Sequence, residues 1–150
     1  MFRGNHPARV DEKGRLKVPS EFKVALEAEG RECFITSRDG QRAEIHSLKD
    51  WEAIEESLAK LPASGAKKRL LDATNYYGQV VRMDDQGRLL IPQLLRDAAS
   101  LVGDVAVMGI EKRLVVALGA AGGAGVGDQR YQVAEVAGVA HGAFDALVGQ

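Results

Sequence analysis

Short stretches of alternating or continuous apolar residues recur in two separate parts of the chain, and they predict two sets of four strands. The expected strands are Ala8–Val10, Leu16–Val18, Cys33–Ser37 and Arg42–His46 in the first set, and Val80–Met83, Leu89–Ile91, Asp104–Gly109 and Leu114–Leu118 in the second. Between the second and third strand of each set the apolar residues take helical spacing, as at Phe22, Ala25 and Leu26. Each set therefore predicts a β-β-α-β-β unit, which makes the chain an α+β protein.

The two units are copies of one sequence pattern. Asp11-Glu-Lys-Gly-Arg-Leu-Lys-Val-Pro19 recurs as Asp84-Asp-Gln-Gly-Arg-Leu-Leu-Ile-Pro92 at an offset of 73, with five of the nine positions identical. The motif predicts a tight hairpin in which Gly14 and Gly87 supply a positive φ, followed by Pro19 and Pro92 in the first turn of each helix. Gly30 and Gly103, which share the same offset, are expected to end those helices.

A different segment separates the two units, and another follows the second. Ser47-x-x-Asp50 predicts the start of a helix, and a second helix is expected over Ala66–Tyr76. Lys67-Lys68-Arg69 on that second helix could contact phosphate or form a solvated face. Gly119–Gly127 indicates a flexible linker, and residues 133–148 a marginal C-terminal helix. The expected divisions are residues 1–46 and 78–118 for the two repeats, 47–77 for the helical spacer, and 119–150 for the linker and terminal helix.

Composition argues against several functional classes. The 150 residues carry 20 basic and 21 acidic side chains, so the net charge of −1 gives no reason by itself to expect nucleic acid. Residues 1–20 nevertheless hold five basic residues against two acidic ones, a local positive patch. One cysteine cannot form an intramolecular disulfide, and no apolar run reaches the roughly 18 residues of a membrane helix. We expect a reducing cytoplasm and no membrane.

Candidate chemistry is concentrated in the repeated motif. His6, His46 and His141 fall in three different elements, Cys33 is expected to be a small buried hydrophobe, and the glycines of 119–127 form no complete phosphate-binding fingerprint. We therefore expect no catalytic residues, no metal and no cofactor. The duplicated Asp-x-x-x-Arg has two interpretations, which can hold together. In the first, the aspartate shapes the turn and the arginine forms an ion pair. In the second, the arginine is presented to phosphate or to the O6/N7 edge of guanine.

Four stretches make the sequence recognisable: Met1-Phe-Arg-Gly4, Asp11–Pro19, Asn75-Tyr-Tyr-Gly78 and Asp84–Pro92. Together they resemble the MraZ family over residues 1 to about 117, and a single unit is similar to the AbrB/SpoVT DNA-binding fold. The resemblance implies a swapped-hairpin β-barrel in which two copies in one chain form a pseudo-dimer. It also implies a ring-like homo-oligomer in the cytoplasm and nucleoid. Such a protein would be a bacterial transcriptional regulator, usually a repressor, that binds short direct repeats in double-stranded DNA upstream of its own division and cell-wall gene cluster.

Carried over by position, the resemblance assigns DNA binding to Arg15 and Arg88, with Lys13 as a helper. The second unit has Gln86 where the first has Lys13. The turn-forming positions of the motif are Asp11, Gly14, Pro19, Asp84, Gly87 and Pro92. The alternative function on the same fold is a non-enzymatic protein-interaction module, antitoxin-like or scaffolding, in which the hairpins serve as interfaces.

Overall fold

The structure, a computed structural model, describes residues 1–119, and within them lie eight strands and four helices. The first unit consists of β1 (Phe2–Val10), β2 (Arg15–Lys17), α1 (Ser20–Ala28), β3 (Glu32–Thr36) and β4 (Ala43–Ser47). The spacer forms α2 (Leu48–Ala59) and α3 (Gly65–Tyr76). The second unit consists of β5 (Gln79–Arg82), β6 (Arg88–Leu90), α4 (Gln93–Ala99), β7 (Gly103–Glu111) and β8 (Arg113–Leu118). The expected α+β class with two β-β-α-β-β units is confirmed. The linker beyond Gly119 and the C-terminal helix lie outside the described residues.

All eight strands form one antiparallel sheet that curls into a nearly closed barrel in the order β5-β3-β4-β8-β7-β1-β2-β6. The first strand of each unit pairs with the third strand of the other unit, β1 with β7 and β5 with β3. Two further pairs, β2 with β6 and β4 with β8, join equivalent strands across a pseudo-twofold axis. This exchange of hairpins is the swapped, pseudo-dimeric arrangement that the resemblance implied.

The barrel encloses a single apolar core to which both units contribute. Leu16 and Leu89, the central residues of β2 and β6, are both 0% exposed. Phe22 and Leu26 from α1, and Leu95 from α4, close the core from the helix side. Burying a side chain of this size stabilises a fold by about 1.5–3 kcal/mol, so the interlocked core holds the two units together.

The first strand is much longer than the apolar pattern indicated. The sequence predicts a strand from Ala8, whereas β1 begins at Phe2 because residues 2–10 pair along their whole length with β7. The partner strand satisfies the backbone groups of polar residues such as Asn5 that have no strand signal of their own. Tertiary pairing therefore decides where this strand begins.

The ends of the helices also differ from the expectation. Pro19 and Pro92 occupy the N-cap positions, one residue before the helices rather than inside their first turns. Gly103 does not end α4. Ser100 takes the left-handed conformation there with φ +56°, and Gly103 opens β7. Gly30 does follow the end of α1 with φ +99°, as expected.

The spacer helices pack on the barrel away from the β2–β6 strand pair. The expected cap at Ser47 is confirmed, because its hydroxyl oxygen accepts the backbone N–H of Asp50 at 3.1 Å. Trp51 of α2 stacks on Phe34 of β3 with 4.7 Å between ring centroids. No helix within residues 1–119 has the length and apolar character to cross a membrane.

Candidate nucleic-acid interface

Two hairpin tips with nearly identical geometry project from the barrel, one between β1 and β2 and the other between β5 and β6. Gly14 N–H donates to the Asp11 carbonyl at 2.9 Å, and Gly87 N–H donates to the Asp84 carbonyl at 3.1 Å. The two glycines have φ of +82° and +76°, the left-handed region that the turn requires. Gly14 and Gly87 thus take the backbone conformation that the motif predicts for them.

At the first tip, the Asp11 carboxylate organises both the turn and the arginine after it. Its Oδ1 accepts the backbone N–H groups of Lys13 and Arg15, each at 2.9 Å, and its Oδ2 accepts Nε–H of the Arg15 guanidinium at 2.9 Å. The hydrogen bond from the Arg15 backbone, aided by the guanidinium, holds the pKa of the Asp11 carboxyl below its ordinary value. Asp11 is thus ionised near neutral pH and fixes the orientation of Arg15.

The second tip repeats this arrangement atom for atom. Asp84 Oδ1 accepts the backbone N–H groups of Gln86 and Arg88 at 2.9 Å, and its Oδ2 accepts Arg88 Nε–H at 2.8 Å. The backbone hydrogen bond from Arg88 is again the largest cause of a lowered pKa for the Asp84 carboxyl. In both copies the aspartate thus contacts the turn backbone and pairs with the arginine, the geometry that the structural interpretation of Asp-x-x-x-Arg predicts.

The ion pairs leave one edge of each guanidinium available. Within the described part of the chain, neither Arg15 nor Arg88 donates a hydrogen bond from Nη1 or Nη2. Their side chains are 31% and 27% exposed. A planar guanidinium held by Nε and open at its Nη edge is suited to bidentate contact with a phosphate or with guanine O6 and N7.

The two tips lie at opposite ends of one short ribbon because β2 pairs antiparallel with β6. Val18 N–H donates to the Gly87 carbonyl, and Ile91 N–H donates to the Gly14 carbonyl, both at 2.9 Å. Equivalent backbone atoms thus exchange reciprocal hydrogen bonds across the pseudo-twofold axis. The arginines that follow the two turns are carried by one rigid two-stranded ribbon.

Each tip also receives a basic side chain from the helix of the other unit. A Cβ built on Gly14 would lie 2.3–2.5 Å from the Arg96 guanidinium of α4, and one built on Gly87 would lie 2.7 Å from the Lys23 side chain of α1. Arg96 is held there by its Nε–H, which donates to the Ile91 carbonyl at 2.9 Å. Sequence reasoning missed both cations, although Lys23 and Arg96 occupy equivalent positions of the repeat.

An open groove of about 680 Å³ extends from the second tip along the start of α1. Its basic lining residues are Arg9, Lys17 and Lys23, and it ends against Gln86. Arg9 lies 3.2 Å from Asp104, and Lys23 lies 3.6 Å from Glu27. The Arg9–Asp104 pair is exposed and therefore weak, so Arg9 can exchange its partner for phosphate at little cost, whereas the Lys23–Glu27 pair is half-buried.

A second charged cluster is buried where β4 pairs with β8. Glu44 lies 2.7 Å from Arg38 Nε, 3.3 Å from His46 Nε2 and 3.4 Å from Arg113 Nε. Burial alone would raise the pKa of the Glu44 carboxyl, but the hydrogen bond with His46 and the charges of Arg38 and Arg113 outweigh it and lower that pKa to about 2. No spacing in the sequence pointed to this cluster, whose role is to join the two units.

The remaining candidate residues take structural positions. Cys33 is buried in the core, as predicted, and burial raises the pKa of its thiol to about 12. His6 pairs with Glu21 at 2.9 Å and packs edge-on against Phe22, far along the chain from His46. His141 lies outside the described residues.

The basic run on α3 makes local contacts. Lys67 Nζ donates to the Leu61 carbonyl at 2.8 Å, and Lys68 lies 2.7 Å from Asp72. Lys67 therefore has a structural partner, whereas the exposed Lys68–Asp72 pair is typical of a solvated helix face. Within residues 1–119, no group of three His, Cys, Asp or Glu side chains is placed to hold a metal ion.

Comparisons with known proteins agree with this architecture. A family model described as "MraZ protein, putative antitoxin-like" matches residues 1–74 and 78–116. The transcriptional regulator MraZ of Acidobacterium capsulatum is 56% identical over 119 residues, which cover 78% of this chain and 82% of that protein. Proteins of the same name from Koribacter versatilis and Acetivibrio thermocellus are 50% and 35% identical. Those alignments each cover 77% of this chain, and 81% and 80% of the respective relatives.

Proposed function

The chain belongs to the MraZ family, and on that premise we propose that this transcriptional regulator binds double-stranded DNA sequence-specifically through its two hairpin tips. Arg15 and Arg88 make the principal contacts and Lys13 assists. The observation that carries the proposal is the guanidinium held at Nε by an aspartate and open at its Nη edge, present at both tips. Such an edge makes bidentate contacts with guanine that discriminate against the wrong base by about 1–3 kcal/mol.

We propose that the protein acts as an assembly, which its charge balance favours. The net charge is −1, so a single chain offers DNA only the few cations near its tips. Affinity for DNA rises with the number of phosphates neutralised, and linked copies of a weak site bind far more tightly than one copy. A homo-oligomer, in the form of a ring, that presents many tips to repeated sequences supplies the missing affinity.

The finer function follows from the family resemblance. We propose that the assembly binds short direct repeats upstream of its own gene in the nucleoid and represses a bacterial division and cell-wall gene cluster. The relatives are named only as transcriptional regulators. The direction of regulation and the identity of the DNA are therefore part of the proposal.

The test is to measure binding to a duplex from the protein's own upstream region, together with the mass of the complex. Arg15→Ala should lower affinity at least about tenfold, since each assembled copy loses one base contact. Arg15→Lys should also bind weakly, because an ammonium cannot replace a planar fork. Lys49→Ala is the matched control, since it removes one exposed cation from α2 on the other side of the barrel.

Two outcomes would contradict the proposal. One is undiminished binding by both Arg15→Ala and Arg88→Ala with the oligomer intact. The other is an affinity that does not fall with added salt, since phosphate contacts release counterions and make binding steeply salt-dependent. Either result would favour the protein-interaction module instead.

A further inference from the structure

The outer face of the β2–β6 ribbon has two ends with different chemistry. In the antiparallel register Arg15 lies opposite Leu90, and Lys17 lies opposite Arg88. Leu16 and Leu89 point into the core, so these four side chains share the outer face. One end therefore combines an arginine with a leucine that is 49% exposed, and the other combines an arginine with an exposed lysine.

The tips next to the two ends also differ. Here the lysine belongs to the end whose strand carries the leucine. Lys13 extends from the tip beside Arg15, and Gln86 extends from the tip beside Arg88, both exposed. Each end has one lysine among these positions, at the tip in one case and on the strand in the other. A half-turn about the pseudo-twofold axis would exchange the two ends. Each end would still hold one lysine besides its arginine, but that lysine would lie on the strand instead of at the tip, or at the tip instead of on the strand.

The backbone of the two tips and of the ribbon is closely similar at both ends. The two ribbon-closing hydrogen bonds are both 2.9 Å, and the two aspartate–arginine pairs have the same atoms at 2.8–2.9 Å. At the ribbon and its tips, a DNA duplex would therefore meet nearly the same backbone in either orientation. Near the ribbon the two orientations are distinguished by side chains, among which the pairs 13/86 and 17/90 differ most, since each sets a lysine against an uncharged residue.

Resting on the proposed DNA binding, we infer that each chain binds its DNA repeat in one fixed polarity, set by the exchange of Lys17 for Leu90 and of Lys13 for Gln86. The Leu90 side chain contacts an apolar base edge, such as the thymine methyl group, beside the guanine bound by Arg15. Lys17 contacts a guanine acceptor or a phosphate beside Arg88. In the reversed orientation a lysine faces the methyl group and a leucine covers a polar base edge, which leaves that edge without a hydrogen bond.

Fixed polarity has a consequence for the DNA. A symmetric dimer matches a palindrome, because its two halves are the same. A chain with two unequal ends matches a non-palindromic sequence. Copies related by rotation in a ring then match successive repeats in the same direction. Leu90 and Lys17 are thus specificity-determining residues, in addition to the two arginines.

Polarity can be measured with a DNA-cutting label on one tip. Glu12 is exposed at the first tip, and within residues 1–119 its side chain forms no hydrogen bond or ion pair. Glu12→Cys therefore accepts a thiol-linked iron chelate, while Cys33, 0% exposed, stays unlabelled. The labelled, assembled protein is bound to its upstream DNA, and cleavage is read on each protected repeat. We expect cuts at one end of each repeat in about tenfold excess over the other end.

The deciding variant exchanges the four residues while conserving composition: Lys13→Gln, Lys17→Leu, Gln86→Lys and Leu90→Lys in one chain carrying the same label. The cuts should move to the opposite end of each repeat.

A second variant, Gln86→Lys with Leu90→Lys, makes the two ends alike and should give cuts at both ends. Its control is Gln41→Lys with Ala53→Lys, which adds the same charge at exposed positions away from the ribbon and should keep the original pattern.

The results separate this inference from the proposed function. Two results would overturn the fixed polarity and leave the proposed function standing. One is specific binding by the unexchanged protein with cuts at both ends of each repeat. The other is cuts that stay at the original end in both ribbon variants. Failure of the unexchanged protein to bind its upstream DNA would overturn both.

Discussion

Asp11 accepts the backbone N–H and the Nε–H of Arg15 on its two carboxylate oxygens, each at 2.9 Å. One acidic side chain thereby shapes the turn and orients the cation that follows it. Because orientation reduces the cost of binding, an acidic residue can favour contact with an anionic partner.

Asp11→Asn should weaken DNA binding severalfold even though it makes the protein more basic. The amide cannot hold Arg15 with the same charge-assisted hydrogen bond, so the guanidinium loses its fixed orientation. Glu12→Gln is the matched control, because it removes one negative charge from the adjacent, exposed position. Anisotropy titrations at one salt concentration compare the two. Equal or tighter binding by Asp11→Asn would show that charge, rather than orientation, governs the tip.

Glu44→Gln should destabilise the fold by about 3–5 kcal/mol near neutral pH. The change removes the carboxylate that Arg38 and Arg113 share in the buried cluster, and removing one partner of a buried ion pair is costly. Urea unfolding measures the difference, with the exposed Glu52→Gln as a control expected to unfold like the natural protein. A loss no larger than that of the control would contradict a stabilising role for the cluster.

The contribution of Glu44 should also disappear in acid. Its pKa is about 2 in the folded protein, below the ordinary 4.5, so the folded state favours the ionised form. The stabilisation is therefore fully present above about pH 4.5 and is lost as the pH falls toward 2. Unfolding curves of the natural protein and of Glu44→Gln, collected across this window, should converge as the pH falls. A constant difference down to pH 2 would contradict the lowered pKa.

Gly109→Ala should destabilise the protein by about 2 kcal/mol or more. A Cβ at this position of β7 would lie 2.3 Å from the backbone nitrogen of Arg3 in β1, so one of the paired strands must shift. Gly103→Ala is the control, since a Cβ there meets nothing within 4 Å and its cost comes from φ +71°, about 1–2 kcal/mol. Thermal and urea unfolding compare the two variants. Equal stability of Gly109→Ala and the natural protein would show that the strands tolerate the displacement.

Cys33 should react with thiol reagents only when the protein unfolds. Burial, with a smaller effect from the charge of Glu32, raises the pKa of the thiol to about 12 and keeps it protonated at pH 8. Labelling should therefore be slow in native buffer and complete in denaturant, whereas Glu12→Cys should gain one rapidly reacting thiol. Rapid modification of the natural protein under native conditions would contradict this burial.

The local features of the fold could be predicted from the sequence because they depend on residues only a few positions apart. The Asp-x-x-Gly turns, the Ser47 cap and the second helix of the spacer all rest on hydrogen bonds or spacings within four residues. The repeated motif also predicted that the two units are equivalent. It identified Arg15 and Arg88 as candidate DNA-binding residues. The start of β1 and the end of α4 were misjudged, since a partner strand and the left-handed Ser100 decided them.

By itself the sequence determined that the protein has two equivalent hairpin units, each with an aspartate at the start of its turn and an arginine after it. Only the tertiary structure decided which strands pair across the units. That pairing sets Leu90 against Arg15, brings Arg96 to Gly14 and buries Glu44 between arginines of both units. The physical reason is that turns and caps form from local hydrogen bonds. Register and charge placement across a swapped barrel depend on residues far apart in the chain, which meet only when the shared core closes.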